Sequence, residues 1–385
     1  MRIAILTSAL YRELKELNGR DRIVFDGAAR YLLELCRLLQ AEGHYVGVYQ
    51  SILDQTITNK GGKKVRVNCG RIERDFYGIP VTCLPDMPPW SDYATSPYQN
   101  RVFNEISIYF DMRIYFATFL AHPHVVNPSI SICHGVFWDY PSGTLSSLTE
   151  EGKREYFHRQ MYGFTAPDVC VAVDNNVKRV ISAMNPGSES RIHVISNFVD
   201  TEKFTPVPKT WDGINVLFPR RLTELRGCNE FIKASMRYPN YKYLAVGQSG
   251  DEGLEKGAAK WAKTTPHLRF IHREMDQMAE IYQGADISIV PTRASEGLSL
   301  SLLESMSCGL PVITTPVGGL GDAVIDGYNA LVYDPNHDDL GVCINIMAKD
   351  TMMRAKFGQR NREIAQECFD IKIWKSRWKN LLRRF

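Results

Sequence analysis

The stretch RASEGLSLSLLESMSCGLPVITT, residues 293–315, decides the fold class. It follows one apolar strand, DISIVPT, and ends in a second, PVITT. Gly297 breaks the chain before a helix that we expect to begin at Ser299 or Leu300, and Gly309 ends that helix. Strand, helix and strand in this order predict a β/α unit of a parallel sheet.

The same alternation runs along most of the chain. RIAILTS, the helical AARYLLELCRLLQAEG and HYVGVYQS form the first unit, and we also expect helices at Gln99–Leu120 and Leu254–Lys263. The proline-rich segment TEKFTPVPKTWDG, 201–213, is the best linker between two such arrays.

We therefore predict two facing, doubly wound Rossmann-like domains, at residues 1–205 and 206–365, followed by a C-terminal helix at 366–385. In such sheets ligands bind beyond the carboxyl ends of the strands, so the cleft between the domains is the expected site.

Composition excludes several classes of protein. The net charge is only +3, with dispersed Lys and Arg, and predicts no nucleic-acid partner. The nine cysteines form no C-x-x-C pair, which argues against a zinc site and favours a reducing cytoplasm. The final segment, IKIWKSRWKNLLRRF, leaves two interpretations open: a helix that packs back on the first domain, or a basic surface in peripheral contact with the inner membrane face.

Charged residues flank the predicted helix in two groups. Glu296 lies in the loop before it and Glu304 lies inside it, where carboxylates would accept hydrogen bonds from sugar or ribose hydroxyls. The helix N-terminus is itself a ready anion site. In PRRLTELRGCNEF, Arg220, Arg221 and Arg226 would neutralise a diphosphate, unless they form a solvated surface.

The combination of these motifs resembles the retaining, family-4-type glycosyltransferases of the GT-B fold (glycosyl transferases group 1). EGLSLSLLESMSCGLPVITTPVGG is similar to their E-x7-E region, and RRLTELRG to their R-L-x3-K-G segment, with Arg226 in the place of lysine. ISNFVDTEKFTP, LAVGQSG and DGYNALVYDP match further segments of the second domain. The first domain matches more weakly, at FDGAARYLLELCRLLQAEGHYV and SICHG.

The resemblance implies roles for individual residues. Arg221 and Arg226 would bind the donor diphosphate and stabilise the leaving group, Glu296 would contact the transferred sugar, and His134 would face that sugar from the first domain. Glu304 would bind the nucleotide ribose. The implied donor-binding residues are Glu304, Gly27, Gly297, Leu298, Ser299, Leu300 and Gly247.

Some positions depart from the family pattern. Leu298 and Ser299 follow Gly297 where Phe-Gly is usual, Ala29 stands where glutamate is frequent, and Asp322 replaces another glutamate. We expect these departures to affect which donor the protein binds more than whether it is active.

The implied reaction is sugar transfer, with retention, from a UDP- or GDP-sugar to a hydroxyl acceptor in glycan, polysaccharide or glycolipid biosynthesis. No D-x-D motif is found, so we expect no metal and no cofactor other than the donor substrate. The alternatives are a sugar-nucleotide epimerase or a non-catalytic nucleotide-sugar-binding protein. Sequence leaves the acceptor and the choice between UDP and GDP open.

Overall fold

The computed structural model describes all residues except 16–20, 25–26, 52–55, 59–63, 67–71, 85–91, 139–140, 142, 147, 248–256, 258–260, 262–264 and 338. The predicted helix at Leu254–Lys263 falls largely in the gaps 248–256, 258–260 and 262–264 and so lies outside the described residues.

The first domain is built on one large sheet. The strands up to the linker are β1 (Arg2–Thr7), β2 (Arg12–Lys15), β3 (Asp21–Val24), β4 (Tyr45–Ser51), β5 (Thr56–Thr58), β6 (Lys64–Arg66), β7 (Ile72–Phe76), β8 (Ile79–Leu84), β9 (Met112–Tyr115), β10 (Ser129–Cys133), β11 (Val169–Ala172) and β12 (Ile192–Val194). The sheet order is β12-β11-β10-β9-β1-β4-β8-β7, and every neighbouring pair is parallel except β7 with β8.

Helices of this half connect the strands and cover the sheet. They are α1 (Gly27–Ala41), α2 (Asp92–Ile106), α3 (Gly143–Ser146), α4 (Glu150–Thr165) and α5 (Asn175–Met184). Helix α1 places Tyr31, Leu32, Leu35 and Leu39 in the core, and it ends before Gly43, whose φ of +81° suits a residue without a Cβ atom.

The first domain departs from the predicted pattern at two places. The polar segment after β1 contains the antiparallel strands β2 and β3, and the helix predicted at Gln99–Leu120 is too long, since it ends at Ile106. Met112–Tyr115 instead forms β9, which pairs with β1 and β10 at the centre of the sheet. A short apolar run does not reveal whether it is strand or helix, and here the two neighbouring strands decide.

The second domain repeats the architecture. Its strands are β13 (Asn215–Phe218), β14 (Lys242–Val246), β15 (Leu268–Ile271), β16 (Ile287–Val290), β17 (Val312–Thr314) and β18 (Ala330–Val332), in the order β15-β14-β13-β16-β17-β18 with all neighbours parallel. This is the 3-2-1-4-5-6 order of a dinucleotide-binding sheet. Its described helices are α6 (Cys228–Arg237), α7 (Met278–Gln283), α8 (Leu300–Ser307), α9 (Leu340–Lys349) and α10 (Thr351–Cys368).

The chain returns to the first domain at its end. Val199 pairs with Asp370 in a parallel bridge, and helix α11 (Ile371–Leu382) follows. The indoles of Trp374 and Trp378 are buried in the first-domain core, where Trp378 Nε1 donates to the Tyr31 hydroxyl at 2.9 Å. The basic side chains of α11 remain toward solvent. Among the described residues no helix has the length and apolar character to cross a membrane.

We expect Trp378→Ala to destabilise the protein by about 3–5 kcal/mol, because it leaves a cavity and removes the donor to a buried hydroxyl. Urea unfolding followed by far-UV circular dichroism measures the effect. Arg377→Ala, at an exposed position of the same helix, is the control. Equal midpoints for both variants would contradict the packing role.

Candidate functional site

The candidate site lies at the topological switch point of the second sheet. Strands β13 and β16 are neighbours there, and the chain leaves them in opposite directions along the sheet. The loop after β13 carries Arg220, and the loop after β16 carries Glu296. Crevices at this position are where open α/β sheets bind ligands.

Arg220 organises the start of α8. Its side chain is buried, and Nη2 donates to Glu296 Oε2 at 2.8 Å. Nη1 donates to the hydroxyls of Ser299 and Ser301, the latter at 3.1 Å. The Ser299 hydroxyl therefore does not cap α8. Burial lowers the pKa of Arg220 to about 10, so it stays charged at neutral pH.

Arg226 contacts the same carboxylate. Its Nη1 pairs with Glu296 Oε2 and donates to Thr292 Oγ1 at 3.0 Å. Burial, followed by the like charges of Arg220 and Arg221, lowers the pKa of Arg226. The Glu296 carboxylate opposes that shift, because an opposite charge at contact distance favours the charged guanidinium.

The second carboxylate of the motif, Glu304, is buried. Glu304 Oε1 pairs with Nη1 of Arg30, which belongs to the first domain, and Oε2 accepts a 2.7 Å hydrogen bond from the Tyr282 hydroxyl. Burial and the nearby Glu304 charge raise the pKa of Tyr282 well above its usual value. The phenol is therefore a permanent donor to this carboxylate.

The two domains touch directly beside Glu296. A Cβ atom on Gly297 would lie 2.5 Å from the His134 carbonyl oxygen and 2.9 Å from Val173 Cγ2. The position therefore requires glycine. The His134 ring packs on the rings of Phe116 and Tyr31, with centroids 4.5 and 5.4 Å apart.

Further hydrogen bonds join the domains around this contact. Asp322 accepts from the main-chain N–H of Asn175, at the start of α5, at 2.6 Å. The Asn197 amide donates to the carbonyl of Leu298, and the Ser295 N–H donates to the carbonyl of Pro141 at 2.9 Å. Asp322, one of the departures from the family pattern, thus joins the two domains.

The remaining predicted residues surround the same cleft. Gly27 begins α1 and approaches the first turn of α8: a Cβ atom on it would lie 3.4 Å from Leu300 Cδ1. Leu298 is buried. Gly247, at the end of β14, lies so close to the Arg220 carbonyl that a Cβ atom would come within 2.0 Å of that oxygen. Arg221 is exposed, whereas its neighbour Arg220 faces the carboxylate.

Sequence reasoning named Arg220 only as one of three arginines in a loop, and it did not identify Arg30 or Tyr282. Arg220 lies inside the arginine motif of the sequence. Only the directions of the side chains after β13 show that both Arg220 and Arg226 contact Glu296. No sequence motif pointed to Arg30 or Tyr282 as site residues, because their partner Glu304 lies 274 and 22 positions away along the chain.

The described residues include no group of three or more His, Cys, Asp or Glu side chains placed to hold a metal ion.

Two family models match the chain in succession. The model described as Glycosyltransferase Family 4 matches residues 25–203, and the one described as Glycosyl transferases group 1 matches residues 200–364. The two ranges meet between the first and second sheets.

Curated relatives align with part of the chain. An uncharacterized glycosyltransferase of Methanocaldococcus jannaschii is 35% identical over 218 residues, which are 56% of this chain and 59% of the relative. The D-inositol 3-phosphate glycosyltransferase of Mycolicibacterium smegmatis is 27% identical over 188 residues, 45% of this chain and 43% of the relative. The chain thus spans about half the length of the curated relatives that it matches.

Solved structures share the whole architecture. Sucrose-phosphate synthase of Thermosynechococcus elongatus gives a TM-score of 0.79 at 16% identity, over 100% of this chain and 98% of that chain. HepE of Anabaena, solved with UDP and glucose, gives a TM-score of 0.70 at 16% identity, over 100% of this chain and 99% of that chain. WaaG, a glycosyltransferase involved in lipopolysaccharide biosynthesis, gives 0.71 at 15% identity over 95% of each chain.

At such identities the structural likeness shows the fold alone, which is GT-B. The two family models together span residues 25–364, and with this fold they show that the chain belongs to the family-4-type glycosyltransferases.

Proposed function

We propose that this protein is a retaining glycosyltransferase that moves a sugar from a nucleotide diphosphate sugar to a hydroxyl acceptor. The observation that carries the proposal is the clustering of Arg220, Arg226 and Glu296 at the switch point. The start of α1 lies opposite the start of α8 at this point. Two helix N-termini and two guanidiniums provide the positive potential that a diphosphate needs.

The donor would lie along the carboxyl edge of the second sheet. Arg221 and Arg226 would bind its diphosphate. The main-chain N–H groups of Leu298, Ser299 and Leu300 would donate to the same phosphates, which the main chain could approach closely at Gly27 and Gly297. Gly247 would face the donor from the end of β14.

Other residues would bind the sugar parts of the donor. Glu304 would accept hydrogen bonds from the ribose hydroxyls. Glu296 would bind the transferred sugar, and His134 would face that sugar across the cleft.

Glu296 acts as the internal counter-ion of the guanidiniums before the donor binds. Its Oε2 contacts both Arg220 and Arg226. An incoming diphosphate carries more negative charge than one carboxylate and would take over Arg226. The released carboxylate would then accept hydrogen bonds from hydroxyls of the sugar, while Arg220 still orients the carboxylate.

The proposed chemistry is front-face substitution. The bond between the anomeric carbon and the leaving phosphate oxygen breaks, and the acceptor oxygen bonds to that carbon on the same face. The acceptor hydroxyl proton moves to the departing phosphate oxygen. The guanidinium charge would stabilise the negative charge that grows there, as donors do in other oxyanion sites.

Because arginines supply this charge, we propose that the reaction needs neither a metal nor a cofactor beyond the donor. HepE, which shares the fold, binds UDP and UDP-glucose, and this favours a UDP-sugar over a GDP-sugar.

A glycan, polysaccharide or glycolipid acceptor at the cytoplasmic face of a membrane is consistent with the basic exposed side of α11. With Trp374 and Trp378 buried in the core, such contact would be electrostatic and salt-sensitive.

We expect one nucleoside diphosphate, UDP first among UDP, GDP, ADP and CDP, to raise the melting temperature equally with magnesium and with EDTA. A ligand at about 100 times its dissociation constant adds roughly 2.7 kcal/mol of stability, which thermal shift detects readily. Stabilisation only in magnesium would overturn the metal-free site. A protein that no nucleotide stabilises would not be a nucleotide-sugar transferase.

We expect the first-formed product to keep the anomeric configuration of the donor, because attack and departure share one face. Proton NMR of the anomeric signal during turnover measures this. Inverted product would contradict front-face substitution. Binding of a donor without any turnover would favour a non-catalytic nucleotide-sugar-binding protein. Isomerisation of the free donor would favour an epimerase.

We expect Arg226→Ala and Glu296→Gln to change nucleoside diphosphate affinity in opposite directions. Loss of the guanidinium should weaken binding about tenfold or more, the effect of one charge-assisted contact. Loss of the competing carboxylate should strengthen binding several-fold while lowering turnover. Calorimetric titration measures both affinities, and Arg269→Ala and Glu280→Gln, at exposed positions, are the matched controls. Weaker binding by Glu296→Gln would show that the carboxylate is not a competitor.

A further inference from the structure

Arg30 reaches from the first domain into the carboxylate site of the second. It lies in the first turn of α1, yet its guanidinium pairs with Glu304 Oε1 in the middle of α8. The Arg30 side chain is 14% exposed and that of Glu304 is 9% exposed. The attraction within a buried ion pair offsets the loss of hydration only when the geometry of the pair is well fixed.

Further side chains hold both partners of this pair in place. The Arg30 guanidinium lies over the ring of Phe204, 5.6 Å from its centroid. Phe204 packs edge-on against Tyr282, with centroids 5.8 Å apart, and Tyr282 donates to Glu304 Oε2. These four side chains form a closed cluster in which each oxygen of the carboxylate has one fixed donor.

The cluster leaves acceptor capacity on both oxygens. An ionised carboxylate has about four lone-pair directions, two on each oxygen. Among the described residues, Arg30 is the partner of one oxygen and Tyr282 that of the other. Each uses one lone pair, so one further lone pair on each oxygen remains for a ligand. The 2′ and 3′ hydroxyls of a ribose are two neighbouring donors that match such a pair of acceptors.

We propose that Arg30 is a positioning residue for ribose recognition: its ion pair with Glu304 fixes the orientation of the carboxylate so that both oxygens accept hydrogen bonds from the ribose hydroxyls. This inference rests on the proposed function, in which Glu304 binds the ribose. Since Arg30 is on the opposite domain, recognition is complete only when the domains are closed. Selection for a ribonucleotide is thereby tied to closure of the cleft.

The experiment compares ribonucleoside diphosphates with their 2′-deoxy counterparts by calorimetric titration of the 385-residue chain. UDP and 2′-deoxy-UDP are compared first, and the G, A and C pairs follow. In the unaltered protein we expect the bound ribonucleotide to be preferred about 10- to 100-fold, the effect of one hydrogen bond to a charged group. In Arg30→Gln the preference should fall below about threefold, and Arg30→Lys should restore part of it.

The matched control is Arg37→Gln. Arg37 lies two turns along the same helix and pairs with Glu34 at 2.7 Å on the exposed side, so this variant should keep the full preference. If Arg30→Gln does not fold, Arg30→Lys carries the comparison, with a ribose preference expected between one and that of the unaltered protein.

The outcomes separate this inference from the proposed function. No nucleotide binding by the unaltered protein would overturn both. Nucleotide binding without ribose preference would overturn the role of Glu304 and with it that of Arg30. A preference that survives in every Arg30 variant would overturn only the positioning role. Tighter ribonucleotide binding by Arg30→Gln would also overturn it, since Arg30 would then be a competitor for Glu304.

Discussion

Charge compensation at the carboxyl edge of the second sheet is the constraint on which the cleft depends. Two carboxylates with little exposure, Glu296 at 13% and Glu304 at 9%, lie within one short segment around α8, and each needs a cation at contact distance. Glu296 finds its cations within its own domain, at Arg220 and Arg226. Glu304 finds its cation, Arg30, on the other domain. Closure of the two domains is therefore part of the electrostatic balance of the site.

Much of the fold could be predicted because its strongest signals are local. The turn at Gly297 and the apolar pattern after it place the start of α8 at Leu300, and the alternation of short apolar runs with helices predicts both parallel sheets. The signals fail where tertiary pairing decides. Met112–Tyr115 has no periodicity that separates strand from helix, and it is a strand because β1 and β10 flank it.

The candidate site was predictable only in part, for a related reason. Motif spacing identifies residues whose neighbours are close in sequence, such as Glu296 with Gly297 and Glu304. It does not identify partners brought together by the topology. Arg30 has no sequence relation to Glu304, and the direction of Arg220 rather than Arg221 toward the carboxylate depends on how the chain leaves β13. The roles of the predicted residues in binding and catalysis stay predictions.

The contact at Gly297 shows why the two domains must be considered together. The main chain there lies against the His134 carbonyl so closely that any side chain would force the domains apart. The same separation would draw Arg30 away from Glu304, leaving a buried carboxylate with Tyr282 as its remaining described partner. A single methyl group at position 297 would thus disturb the charge pair that Glu304 makes from inside α8. The glycine is needed for the spacing between the domains, and that spacing determines which hydrogen-bonding groups a bound ligand meets.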